Sequence, residues 1–253
     1  MSAIRPFLVA LQFLTRLPVR LRQPPTAAET GRSLLYYPLV GLLLGLALAG
    51  LHLVLNDAPA LLRAALVLVA WVAITGALHL DGLADSFDAW VGGRGDRERT
   101  LAIMKDPRCG PMGVVALVLV LLVKFAALSG LEASDWPMLA LVPVIARGTI
   151  PLLFLTTPYV RPGGLGSALA ENVPRVWVVV VLLGGLPLLW WALDARVWFS
   201  VPAAAVMFVL IRHALLRRLG GTTGDTAGAL IELIETVLLV LAVLPLLNSV
   251  VIR

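Results

Sequence analysis

Three carboxylates in the stretch His79-Leu-Asp81-Gly-Leu-Ala-Asp85-Ser-Phe-Asp88-Ala-Trp90 stand at i, i+4 and i+7. On a continuous helix that spacing puts them on one face. Like charges so placed repel unless a cation neutralises them or their pKa values rise. Magnesium is commonly held by one or two carboxylates together with the phosphates of a substrate, so Asp81, Asp85 and Asp88 are candidate ligands for Mg²⁺. The plainer alternative is a solvated loop. The helical spacing, and an apolar run directly before it, weigh against that.

Two further clusters point the same way. In Met104-Lys105-Asp106-Pro107-Arg108-Cys109-Gly110, Lys105 and Arg108 are suited to phosphate oxygens, and Asp106 is a further oxygen ligand. Glycines there allow close backbone approach; the bland reading is a basic loop entering a span. Gly220-Gly-Thr-Thr-Gly-Asp225 precedes an apolar helix that carries Glu232 and Glu235. Gly221, Thr223 and Gly224 suit an anion cradle at a helix N-terminus. Asp225, Glu232 and Glu235 then join the metal candidates. An uncompensated acid in mid-membrane costs roughly 2.5–3.5 kcal/mol, so two such acids imply a purpose. A shallow helix start, where acids suit the dipole, is the alternative. Arg147 is expected to pair with one of these acids or with a substrate phosphate, whereas Lys124 reads as a structural or snorkelling group. His79 reads as a packing or capping residue rather than a ligand.

The elements that position these residues follow from composition. Of 253 residues, 60% are hydrophobic and only 14% charged, against about 25% charged in soluble domains. There is too little polar sequence to cover a soluble surface. Crossing the hydrocarbon core takes about 20 apolar residues. Qualifying runs lie near 34–55, 61–80, 112–131, 138–157, 176–193, 197–216 and 228–251. The sequence therefore predicts an all-α polytopic bundle of about seven transmembrane spans, forming one integral membrane catalytic domain over 1–253. Residues 4–18, with Phe7, Leu8, Leu11 and Leu14 on one face, predict an interfacial helix rather than a cleavable signal. With the N-terminus cytoplasmic, 15 of the 20 Lys and Arg residues fall inside. Arg63, Arg196 and Arg253 fall outside, and Lys124 and Arg147 lie within spans. That asymmetry puts all three clusters at the cytoplasmic face. A net charge of +5 then marks loops facing anionic lipid, and no nucleic-acid partner is expected. Cys109 is the single cysteine, which excludes an internal disulfide. Gly41, Gly45 and Ala49 recur every four residues and predict close helix packing.

Together these motifs resemble the cobalamin synthase family of adenosylcobinamide-GDP ribazoletransferases. The resemblance rests on Phe13-Leu-Thr-Arg-Leu-Pro-Val19, Tyr37-Pro-Leu-Val-Gly41, His79 through Asp88, Met104-Lys-Asp-Pro-Arg108, Gly220 through Asp225, and Glu232 with Glu235. Thr222 and Cys109 depart from the family's usual residues. The resemblance implies a magnesium-dependent enzyme of the bacterial inner membrane in a late step of cobalamin biosynthesis. It joins adenosylcobinamide-GDP to α-ribazole or its 5'-phosphate and releases GMP. On that reading Lys105, Arg108 and Arg147 neutralise phosphate oxygens, and Asp88 or Asp225 is the general base. Oligomeric state is left open, a homo-oligomer included. Two rival readings remain: a CDP-alcohol phosphotransferase of phospholipid synthesis, and a cation-coupled transporter. Transporters tend to show inverted repeats, and no repeat is visible here.

Overall fold

The computed structural model describes residues 4–163, 165–193 and 197–244. Among them every regular element is helical. The order is α1 (Ile4–Leu14), α2 (Ala27–Ser33), α3 (Tyr37–Val54), α4 (Ala60–Thr75), α5 (Leu78–Gly92) and α6 (Arg97–Ile103). Then follow α7 (Pro111–Ser129), α8 (Trp136–Thr156), α9 (Leu165–Glu171), α10 (Arg175–Leu193), α11 (Val197–Leu219) and α12 (Gly224–Val243). Six stretches are long and apolar enough to cross a membrane, and seven if α4 and α5 count as one broken span. The chain is a multi-pass membrane protein.

Local chemistry sets the boundaries. Pro38, Pro111 and Pro137 stand in the first turns of α3, α7 and α8, where a missing N–H costs nothing. Thr26 and Glu29 form a reciprocal capping box on α2. Asp96 caps α6. The predicted stripe of Gly41 and Gly45 packs against α8. A Cβ on Gly41 would come within 2.5 Å of the Pro143 carbonyl oxygen, and one on Gly45 would press on that of Ala140.

One expectation is corrected. The second apolar run does not extend straight into the carboxylates. α4 stops at Thr75, Gly76 and Ala77 both take positive φ (63° and 57°), and α5 leaves at 87°. Ala77 pays the steric cost of the left-handed region, and neighbouring groups hold it there. The Ala77 amide donates to Val72, and the Arg16 amide donates to the Ile74 carbonyl at 2.7 Å. The Arg16 side chain lies where a Gly76 Cβ would be. The conspicuous Phe13–Val19 segment thus braces the bend. α5 therefore runs nearly at right angles to α4. The last expected span begins earlier than predicted, at Gly224, and its residues 245–251 fall outside the described ones, as does the 194–196 linker.

Candidate active site

α5 meets the start of α12 with almost no space between backbones. A Cβ on Gly82 would sit 2.7 Å from the Asp225 carbonyl oxygen, and one on Gly228 3.2 Å from the His79 Cα. Glycine at these positions lets the carboxylates of Asp81 and Asp85 share a locality with Asp225. Arg161, in the segment after α8, bonds Asp225 at 2.7 Å. Asp85 lies within electrostatic reach of both Asp81 and Asp225. Beside Asp81 and Asp225 opens a cavity of about 200 Å³. Its wall is mainly apolar, with side chains from α1, α3, α5, α8, α9 and α12.

Arg161 was missed by sequence reasoning, which used it only as a topological charge. No spacing signal marks it. Its place is set by a short parallel bridge between Tyr159 and Thr222. There the Val160 amide donates to Thr222 at 2.9 Å and the Thr222 amide to Pro158 at 2.8 Å.

Several expected site residues have other partners. Both Asp88 oxygens accept backbone amides, from Gly110 at 2.6 Å and Gly113 at 2.8 Å. Asp88 is thereby a cap on α7 contributed by α5 rather than a free ligand or base. The two glycines are explained too, since a Cβ on either would come within 2.5 Å of that carboxylate. Asp106 is clasped by Arg108 through 2.9 and 2.6 Å bonds, and this pairing holds its carboxyl down at about 2. Lys105 is exposed on the same loop. The expected anion cradle is also spoken for. The Thr223 hydroxyl caps Thr226, and the Thr223 amide donates to the Thr226 hydroxyl at 2.9 Å. Gly221 serves close packing, because a Cβ there would strike the Pro158 carbonyl. Gly224 is exposed at the mouth of the cavity.

Glu232 and Glu235 are corrected most clearly. They are buried against the basic side chains of neighbouring helices. Lys124 of α7 bonds both at 2.6 Å, and Arg147 of α8 bonds Glu235. Lys124 also sits 4.8 Å from the Trp71 ring centroid. All four charged side chains are buried, so two acids and two bases neutralise one another in the bundle interior. Arg147 therefore takes the first of its two expected roles, pairing with an acid.

Among the described residues, no three His, Cys, Asp or Glu side chains form a metal cage. What remains at the surface, Asp81, Asp85 and Asp225, is an all-oxygen, like-charged set. That donor chemistry fits a hard cation which takes its other ligands from water or substrate phosphates.

Comparison with known proteins adds identity to this geometry. A family profile described as Cobalamin-5-phosphate synthase matches residues 6–243. An adenosylcobinamide-GDP ribazoletransferase of Pseudomonas paraeruginosa is 57% identical over 243 residues, covering 94% of this chain and 98% of its own. One from Pseudomonas putida is 58% identical over 240 residues, covering 91% and 95%. No solved structure matches. With nearly the whole length matched at more than half identity, the chain belongs to the cobalamin-5-phosphate synthase family.

Proposed function

We propose that this chain, acting as one catalytic unit, joins adenosylcobinamide-GDP to α-ribazole or its 5'-phosphate and releases GMP. The observation that carries the proposal is the pairing of Asp81 with Asp225 on the wall of one cavity, with Asp85 within electrostatic reach of both, in a chain of this family. A ribose hydroxyl of α-ribazole attacks the phosphorus attached to cobinamide. The new P–O bond replaces the bond to GMP, and the hydroxyl proton passes to a carboxylate of this group. Positioning and charge stabilisation dominate such transfers.

Mg²⁺ held by one or two of Asp81, Asp85 and Asp225 together with substrate phosphates would supply neutralisation of the diphosphate and of the charge developing on its oxygens. Arg161 holds Asp225 in place. Lys105 and Arg108 lie on the loop fastened beneath α5 by Asp88, where they suit the guanylyl phosphates. The basic-residue asymmetry supports an inner-membrane protein with this site facing the cytoplasm.

The test is GMP release from adenosylcobinamide-GDP by purified protein, titrated with magnesium and α-ribazole. Release dependent on both supports the reading. CMP release from a CDP-lipid with no GMP release would instead point to a phospholipid-type phosphotransferase.

A further inference from the structure

His79 is 4% exposed, and neither of its ring nitrogens has a hydrogen-bond partner. An imidazole offers a donor on one nitrogen and, when neutral, an acceptor on the other. Leaving both unmet in a buried position is costly. The cost has an evident use, because His79 lines the cavity beside Asp81 and Asp225. The walls nearby are Phe13, Leu14, Tyr37, Ile150, Phe154 and Ile231. Phe13 and Tyr37 stack with ring centroids 6.5 Å apart. Asp81 is exposed at the opening, whereas His79 is buried.

We infer that this cavity is the subsite for the aromatic base of the attacking nucleoside, with His79 as its hydrogen-bond partner. The inference rests on the transferase reading above. A benzimidazole-type base is bicyclic and apolar at its carbocyclic edge. One of its nitrogens carries the ribose, and the other is left as an acceptor. The apolar walls take the carbocycle, and the His79 N–H meets the free nitrogen. The ribose then lies at the mouth, beside Asp81 and Asp225, where its hydroxyl must react. A guanine driven in as far as His79 would bury its carbonyl and amino groups among apolar walls. One imidazole cannot pair all of them.

The experiment compares wild-type protein with His79→Phe, which keeps the ring and removes the nitrogens, and Ile231→Trp, which fills the cavity. Binding of α-ribazole and of GMP is measured by equilibrium dialysis, alongside Tm and GMP-release kinetics. His79→Phe is expected to weaken α-ribazole binding and raise its KM about tenfold, one hydrogen bond's worth. The KM for adenosylcobinamide-GDP and the affinity for GMP should not move. Its Tm without ligand should hold or rise; a structural histidine would lower it. Ile231→Trp should give the same selective loss. Unchanged α-ribazole binding in both variants overturns the subsite while leaving the transferase reading intact. Weakened GMP binding instead overturns it in favour of a purine site. His79-dependent α-ribazole binding by a wild-type protein that releases no GMP keeps the subsite and overturns the transferase reading.

Discussion

At the scale of single residues, the side chains divide by what they touch. Asp81 and Asp225 line the cavity with Asp85 close by, whereas Asp88 gives both of its oxygens to backbone amides. Asp85→Ala and Asp225→Ala are each expected to cut GMP release at least about a hundredfold, the lower end for a positioned acid or base. Fluorescence-detected size exclusion should show the variants still inserted and monodisperse, and near-normal turnover at saturating magnesium would refute their role. Asp88→Ala should instead lower Tm by freeing the start of α7. Sequence spacing made these carboxylates visible as a helical set. It could not separate Asp88 from the others, because its partners lie 22 and 25 residues away and present no side chain to read. Glu232 and Glu235 were legible as acids that need compensation. Their partners, Lys124 and Arg147, were equally visible, but pairing them required knowing which helices adjoin. Glu235→Ala strands Arg147 and leaves Lys124 with Glu232 alone, so it should destabilise by about 3–5 kcal/mol, read as a fall in Tm or in recovered protein.

At the scale of elements, two glycine-lined contacts set the geometry. Gly45 lets α3 meet α8, and Gly45→Leu forces those helices apart, an overpacking cost typically of about 1–3 kcal/mol visible in thermal melting. Gly82 lets α5 meet α12. Gly82→Val should move Asp81 and Asp85 away from Asp225, so GMP release falls far more than Tm does. The apolar periods told where helices lie to within a few residues. The break at Gly76–Ala77 was hidden, because the run stays apolar across it and Ala77 favours helix. The brace that stabilises the bend comes from Arg16, on a different segment.

At the scale of the whole molecule, the two ends of the bundle are built differently. One carries α5, the loop after α6 and the turn before α12. At the other, Arg63 bonds the carbonyls of Asn56 and Leu131 at 3.0 Å, and His52 meets that of Glu132 at 3.1 Å. A reporter fused at Gly95 should read cytoplasmic and one at Asp135 external; matching signals from both would reject the seven-crossing arrangement. The buried quartet of charges also bears on biogenesis. Ribosomes deliver Lys124 and Arg147 to the bilayer while α12 is still unmade. Each is then a stranded cation, at roughly 2.5–3.5 kcal/mol on translocon scales. The final helix brings the counter-charges, so a nascent chain ending before Gly224 has no way to settle and should be cleared by membrane quality-control proteases.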